Sequence, residues 1–284
     1  MARILVAGSE IGAGATTVAV GLASAVANAG QQVRVERLVG DERATEDAEV
    51  FGELELGAGS GDPMTVEQVD DVSGVLILEA PAGADAGALA SQLGARLVFV
   101  RLAGSESEPP SGAMVIETHA AYAVTGALPE DRALAAPRVA ELIAASGAEV
   151  LTRSEAGERA VCDHLVVGAI SHDPADDYFA RFPRKAVVTR NGRVDLALAA
   201  MLTGTECLIL SGGGAPSPYI LDRAAANRET TLLMTSGTTV ETMHDIEGCF
   251  GTSPFSGDSK VARVGELMAS ALDTDVVSGL FEAV

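Results

Sequence analysis

Apolar and polar positions alternate along this chain in short blocks. Arg3 to Ala7 is a short, largely apolar run that stops at Gly8, and a glycine-rich turn separates it from a helical pattern over Thr16 to Ala29, closed by Gly30. Val33 to Val39 alternates as a strand, Ala44 to Leu56 reads as an acidic helix, and Gly57 to Pro63 as a loop. The apolar runs Gly74 to Leu78 and Leu97 to Leu102 predict two more strands with a helix at Gly87 to Leu93 between them, and Val115 to Thr118 predicts another strand. Strands alternating with helices predict an α/β fold with a parallel sheet covered on both faces. The pattern changes at Ala127 to Pro129, where a helix is expected over Arg132 to Ser146, followed by Glu149 to Leu151. Alternation then restarts, with strands at Leu165 to Ile170, Ala186 to Thr189, Cys207 to Ser211 and Thr231 to Thr235. Helices are expected at Arg193 to Met201, Pro218 to Asn227, Thr239 to Ile246 and Val261 to Leu272.

The length of 284 residues supports two domains at roughly 150 residues each. The pattern places a first domain over 1–126, a helical connector over 127–153 and a second domain over 154–284. With 48% hydrophobic and 21% charged residues the chain has enough apolar surface to fold. Its 19 Lys and Arg against 40 Asp and Glu leave a net charge of −21, which opposes nucleic-acid binding and attachment to anionic membranes. Only Lys185 and Lys260 are lysines, a composition that also suits a high-salt cytoplasm. Cys162, Cys207 and Cys249 are scattered without a C-x-x-C pair, as expected of a cytoplasmic protein without a disulfide framework or zinc site. His119, His164, His172 and His244 lack metal-ligand spacing, and His172-Asp173, following a strand end, is the pair best placed to meet a ligand. The uncharged stretch from Ile11 to Val33 imitates a secretory signal, but Glu10 and the glycines around it oppose that reading.

The candidate chemistry starts at Gly8-Ser9-Glu10-Ile11-Gly12-Ala13-Gly14-Ala15-Thr16-Thr17. A glycine-rich turn between a strand and a helix lets backbone N–H groups surround a phosphate, and a Ser or Thr hydroxyl there can hold Mg²⁺. Gly8, Ser9, Gly12, Gly14, Thr16 and Thr17 are therefore candidate nucleotide-binding residues. Glu79, ending a strand, is a candidate partner of Thr16 in organising the metal, or else simply a strand-end residue. The spacing resembles the extended Walker A loop of dethiobiotin synthetase and its relatives, with Ala15 where the lysine belongs and the acidic Glu10 at the nearest alternative position. Loss of that cation removes the charge that bridges the β- and γ-phosphates, so binding of ATP or ADP is compatible with this loop while efficient turnover is not. The loop is otherwise a vestigial turn.

Leu128 to Ile143, followed by Gly147 to Leu151, resembles the linker between the dethiobiotin-synthetase-like domain and the DRTGG domain of long phosphotransacetylases. Val166 to Ser171 is similar to the first strand of a DRTGG domain, and Ala186 to Ala200 to its naming motif, with Gly192 replacing the Asp and Arg193 and Asp195 retained. Leu208 to Pro216 and Thr238 to Thr242 resemble two further motifs, with Thr238 where an Asp is usual. The resemblance implies a P-loop-type parallel-sheet domain followed by a DRTGG-type α/β domain, with a ligand or dimer role for Arg193 and Asp195. These two are alternatively a surface ion pair. Ser211, Gly212, Gly213 and Thr239 offer a second polar turn, and the glycines serve equally well as a backbone device.

No phosphotransacetylase catalytic domain is recognisable after the DRTGG-like part. The resemblance implies a non-catalytic regulatory or scaffold protein that senses a nucleotide or metabolite, forms a homodimer and partners an enzyme of acyl-CoA or acetyl-phosphate metabolism. The alternatives are an ATP-dependent ligase of the dethiobiotin or cobyrinate-amidating type, or a purely structural subunit.

Overall fold

A computed structural model describes residues 2–54, 57–70, 73–122, 124–170 and 175–281. The chain forms two compact units: residues 1–134 with 254–284, and residues 135–253.

In the first unit, β1 (Ala2–Gly8), β2 (Val33–Arg37), β3 (Val75–Glu79), β4 (Arg96–Leu102), β5 (Met114–Ala120) and β6 (Ala127–Pro129) form one parallel sheet in the order β2-β3-β1-β4-β5-β6. The sheet is buried on both faces, which explains the nearly unbroken apolar runs in β1, β3 and β4. Alternate residues Ile4, Val6, Ile77, Val98 and Val100 pack against helix α1 (Ala15–Asn28) and Phe51 of α2 (Ala44–Gly52). Leu5, Ala7, Leu76 and Leu78 point the other way, toward α3 (Ala86–Leu93).

The second unit contains α5 (Val139–Ser146), β7 (Glu149–Thr152), β8 (His164–Gly168), α6 (Ala175–Phe179), β9 (Lys185–Arg190), α7 (Val194–Leu202), β10 (Thr205–Ser211), α8 (Pro218–Asn227), β11 (Thr231–Met234) and α9 (Thr239–Glu247). Its sheet runs β7-β11-β10-β9-β8, with β7 antiparallel and the other four parallel. Residues of α6, α7 and α8 fill one face, with Val187, Leu208 and Leu232. Val139 and Leu142 of α5 and Ile246 of α9 fill the other, with Val188, Ile209 and Leu233.

Three expectations change. The helix expected over Arg132 to Ser146 is two helices, α4 (Arg132–Ala135) and α5, because Pro137 has no N–H to continue the ladder. The break is held by Cys162 N donating to Pro137 O at 2.8 Å and Val139 N donating to Ala160 O at 2.8 Å. The second helix is consequently no connector but part of the second unit's core. The third change concerns the boundary, since α10 (Asp258–Ala271) and α11 (Thr274–Phe281) belong to the first unit rather than to a domain over 154–284. The cause is an apolar stripe: Val264, Leu267, Met268 and Ala271 pack with Val18, Leu22 and Val26 of α1 in one core. Gly21 and Gly265 let the helices approach, for a Cβ on Gly21 would lie 2.5 Å from Met268 Cγ and one on Gly265 2.6 Å from Ser24 Oγ.

Candidate functional site

In an open α/β sheet ligands bind beyond the carboxyl ends of the strands, where the strand order reverses. In the first unit the order reverses at β1, which has β3 on one side and β4 on the other. The loop Gly8 to Gly14 leaves β1 at this point and leads into α1. Ser9 N donates to Val100 O at 2.8 Å, and Ala13 N closes a turn on Glu10 O at 3.2 Å. Thr118 of β5 donates its hydroxyl to Ala13 O at 2.7 Å, fixing the far end of the loop. Gly14 has φ 87°, a left-handed conformation that a side chain would strain, and a Cβ there would lie 3.2 Å from Thr118 Cγ2. Gly14 caps α1 without a side-chain hydrogen bond, so the first-turn N–H groups at Ala15, Thr16 and Thr17 have no intrahelical acceptor. The Ala15 methyl, standing at the lysine position, packs against the core. Ser9 Oγ is buried and has no hydrogen-bond partner among the described residues.

Thr16 and Glu79 meet directly, the Thr16 hydroxyl donating to Glu79 Oε1 at 3.0 Å. Glu79 is 4% exposed, and among the described residues its Oε2 has no hydrogen-bond partner. Burial pushes its carboxyl up to about 8, with the charge of Asp47 adding to the effect, while Arg37 and the Thr16 hydroxyl oppose it.

Sequence reasoning did not single out Arg37 and Asp41 near Glu79. Arg37 ends β2 and is 2% exposed. Its Nη2 lies 2.6 Å from Asp41 Oδ2, its Nε 3.4 Å from Asp47 Oδ2 and 4.0 Å from Glu79 Oε2. Its Nη1 donates to Leu38 O at 2.7 Å and to Glu79 O at 3.4 Å. Asp41 also accepts from the N–H groups of Ala82 and Arg43, and these bonds with Arg37 hold its carboxyl low against the upward push of burial. Burial raises that of Asp47. The signal for Arg37 was a lone basic residue at the carboxyl end of a strand, and its link to Asp41 and Asp47 is made only by folding.

These residues do not fit a divalent ion. Glu79 Oε2 lacks a hydrogen-bond donor, but the guanidinium already faces it and Asp47. Among the described residues no three His, Cys, Asp or Glu side chains are grouped to hold a metal.

In the second unit β8 to β11 are parallel, so the turns after β9, β10 and β11 lie at one edge of the sheet. Arg193 pairs with Asp195 at 2.9 and 2.7 Å and donates to Ile170 O at 3.2 Å. The hydrogen bond from Arg193 holds the Asp195 carboxyl at about 2. Asn191 Nδ2 joins the neighbouring turn, donating to Gly213 O at 3.0 Å and Ala215 O at 3.1 Å. Ser211 and Thr239 share a hydroxyl hydrogen bond of 2.7 Å. Gly212 and Gly213 do not present free N–H groups, for these donate to Gly237 O at 2.7 Å and Thr235 O at 2.9 Å. With φ of 90°, 65° and 86°, Gly212, Gly213 and Gly214 serve the shape of the turn. His172 and Asp173 lie outside the described residues. No described helix is long and apolar enough to cross a membrane.

A crystal structure of the CBS and DRTGG domains of the regulatory region of Clostridium perfringens pyrophosphatase, complexed with its activator diadenosine tetraphosphate, is similar to this chain with a TM-score of 0.38 and 16% identity. The match covers 49% of this chain and 64% of that one, so the chain spans less than two thirds of that structure. The DRTGG domain family matches residues 141–249, nearly the whole second unit and starting earlier than the expected residue 154. The chain therefore carries a DRTGG domain, built from α5 through α9.

Proposed function

We propose that this chain is a non-catalytic regulatory protein that senses a nucleotide, such as ATP or ADP, or a related phosphate-bearing metabolite, at the loop between β1 and α1. The observation that carries this reading is the uncapped start of a fourteen-residue helix, opening on a glycine loop where the strand order reverses, with Thr16 fixed to the buried Glu79. Helix N-termini of this kind attract phosphate through N–H groups and the helix dipole. Against catalysis stands the absence of a phosphate-directed cation in the loop: Ala15 is packed on the core and Arg37 is enclosed by carboxylates. Together with the DRTGG domain, this supports descent from a regulatory region like that of long phosphotransacetylases, the loop spacing resembling the extended Walker A loop of dethiobiotin synthetase and its relatives. Among the described residues the ligase alternative finds no cation at the loop to replace the lysine.

In the second unit Arg193 is paired and the N–H groups of Gly212 and Gly213 are engaged, which favours assembly over ligand binding there. We assign it a homodimer contact, read by light scattering in low and high salt, and leave to pull-down experiments an enzyme of acyl-CoA or acetyl-phosphate metabolism as partner.

Calorimetric titration of the full chain with ATP and ADP tests the ligand. Gly12 has φ 85° and open space around it, and Asp tolerates the left-handed region better than most residues. Gly12→Asp therefore adds a negative charge to the loop without a clash. Binding by the natural protein and its loss in Gly12→Asp support the reading; equal binding by both, or none by the natural protein, refutes it.

A further inference from the structure

The buried cluster around Arg37 has a consequence for the kind of ligand the loop accepts, an inference that rests on the nucleotide reading above. We infer that the guanidinium of Arg37 stands in for a divalent cation beneath Thr16, and that the loop between β1 and α1 takes a nucleotide free of metal rather than its Mg²⁺ complex.

The geometry gives three reasons. Asp41, Asp47 and Glu79 converge from the segment after β2, from α2 and from the end of β3, and the charge they converge on is Arg37, at 2.6, 3.4 and 4.0 Å. A divalent ion at Thr16 and Glu79 would have to share this enclosed space with a guanidinium that does not lose its proton, and the repulsion at such distances in a buried site is strong. Arg37 also cannot easily leave. It is 2% exposed and bound to the backbone oxygens of Leu38 and Glu79 as well as to Asp41 and Asp47. Finally, the hydroxyl of Thr16, the group through which such a loop would approach a metal, is donated to Glu79 Oε1. The remaining phosphate-directed groups are the N–H groups of the loop and of the first turn of α1, which need no metal.

The test uses the full-length protein in two measurements. Manganese titration without nucleotide, followed by electron paramagnetic resonance, reads the cation position alone. The natural protein is expected to bind no Mn²⁺ in the micromolar range, and Arg37→Met to gain a site that Glu79→Gln, added to it, weakens about 10- to 100-fold. Micromolar Mn²⁺ binding by the natural protein, lost in Glu79→Gln, overturns the inference even if Arg37→Met fails to fold. The second measurement is titration with ATP in EDTA and in excess Mg²⁺. Binding in EDTA at least as tight as in Mg²⁺ supports the inference, and binding only in Mg²⁺ overturns it while leaving the nucleotide reading standing. No binding in either buffer defeats that reading, and with it the ligand half of the inference; the manganese result still decides whether Arg37 holds the cation's place.

Discussion

The Thr16 hydroxyl donates to Glu79 Oε1 at 3.0 Å, and among the described residues it is the one hydrogen-bond donor to that carboxyl group, Oε2 having none. Thr16→Val should leave a buried carboxyl wholly without a donor and lower stability by about 1–3 kcal/mol. Chemical denaturation of both proteins checks this. A change within a few tenths of a kcal/mol would mean that the pair contributes nothing to the fold.

Glu79 also predicts a pH dependence. Its carboxyl is raised by burial from the ordinary 4.5 to about 8, so the folded protein holds a proton that the unfolded chain releases. The stability this provides is complete below about 4.5 and is lost as pH rises through about 8. Melting the natural protein and Glu79→Gln across this window should show the variant gaining on the natural protein as pH increases. Parallel curves would contradict the assignment.

The crossing of α1 and α10 predicts steric damage at two glycines. Gly21→Val places side-chain atoms where Met268 Cγ already lies 2.5 Å from a Cβ, and Gly265→Val does the same against Ser24. Overpacking of this kind costs about 1–3 kcal/mol, readable as a lowered denaturation midpoint in each single variant.

The unit boundaries predict how fragments behave. A fragment of residues 135–253 should melt cooperatively, because its sheet is covered on both faces by its own helices. A chain ending at 253 should lose the cooperative transition of the first unit, since the removed helices cover Val18, Leu22 and Val26 of α1. Calorimetry of both fragments is the check, and a sharp first-unit transition in the shortened chain would refute the assignment.

Much of the fold was legible in the sequence because its strands are short apolar runs bounded by glycine, and β1, β3, β4 and β10 fall where those runs do. The three-residue β6 carries too little pattern to recognise. The helices α10 and α11 look like the end of the second domain because they follow it in sequence, and only their packing on α1 assigns them to the first unit. Thr16 was marked by the glycine loop and Glu79 by its place at a strand end, each as a residue to organise a metal; the hydrogen bond that joins them directly was not foreseen. Arg37 was not marked, because a buried arginine is recognised by the carboxylates that surround it, and Asp41, Asp47 and Glu79 reach it from separate segments.

ATP turnover should fall far below the ~1–10³ s⁻¹ of working enzymes, because neither Ala15 nor Glu10 supplies a positive charge to the transferring phosphate. Phosphate release from ATP measures it. Ala15→Lys should not restore the reaction, since the Ala15 side chain faces packed core and Glu10 would compete for the new charge.

A nucleotide held at the loop between β1 and α1 is detected by melting the full chain with and without ATP or ADP. A ligand at about 100 times its Kd stabilises the folded state by about 2.7 kcal/mol, a rise of about 5 °C or more for a unit of this size. Such a rise is expected in the natural protein and none in Gly12→Asp; a melting temperature that no nucleotide moves, at concentrations up to the millimolar range, would rule out a nucleotide at this loop.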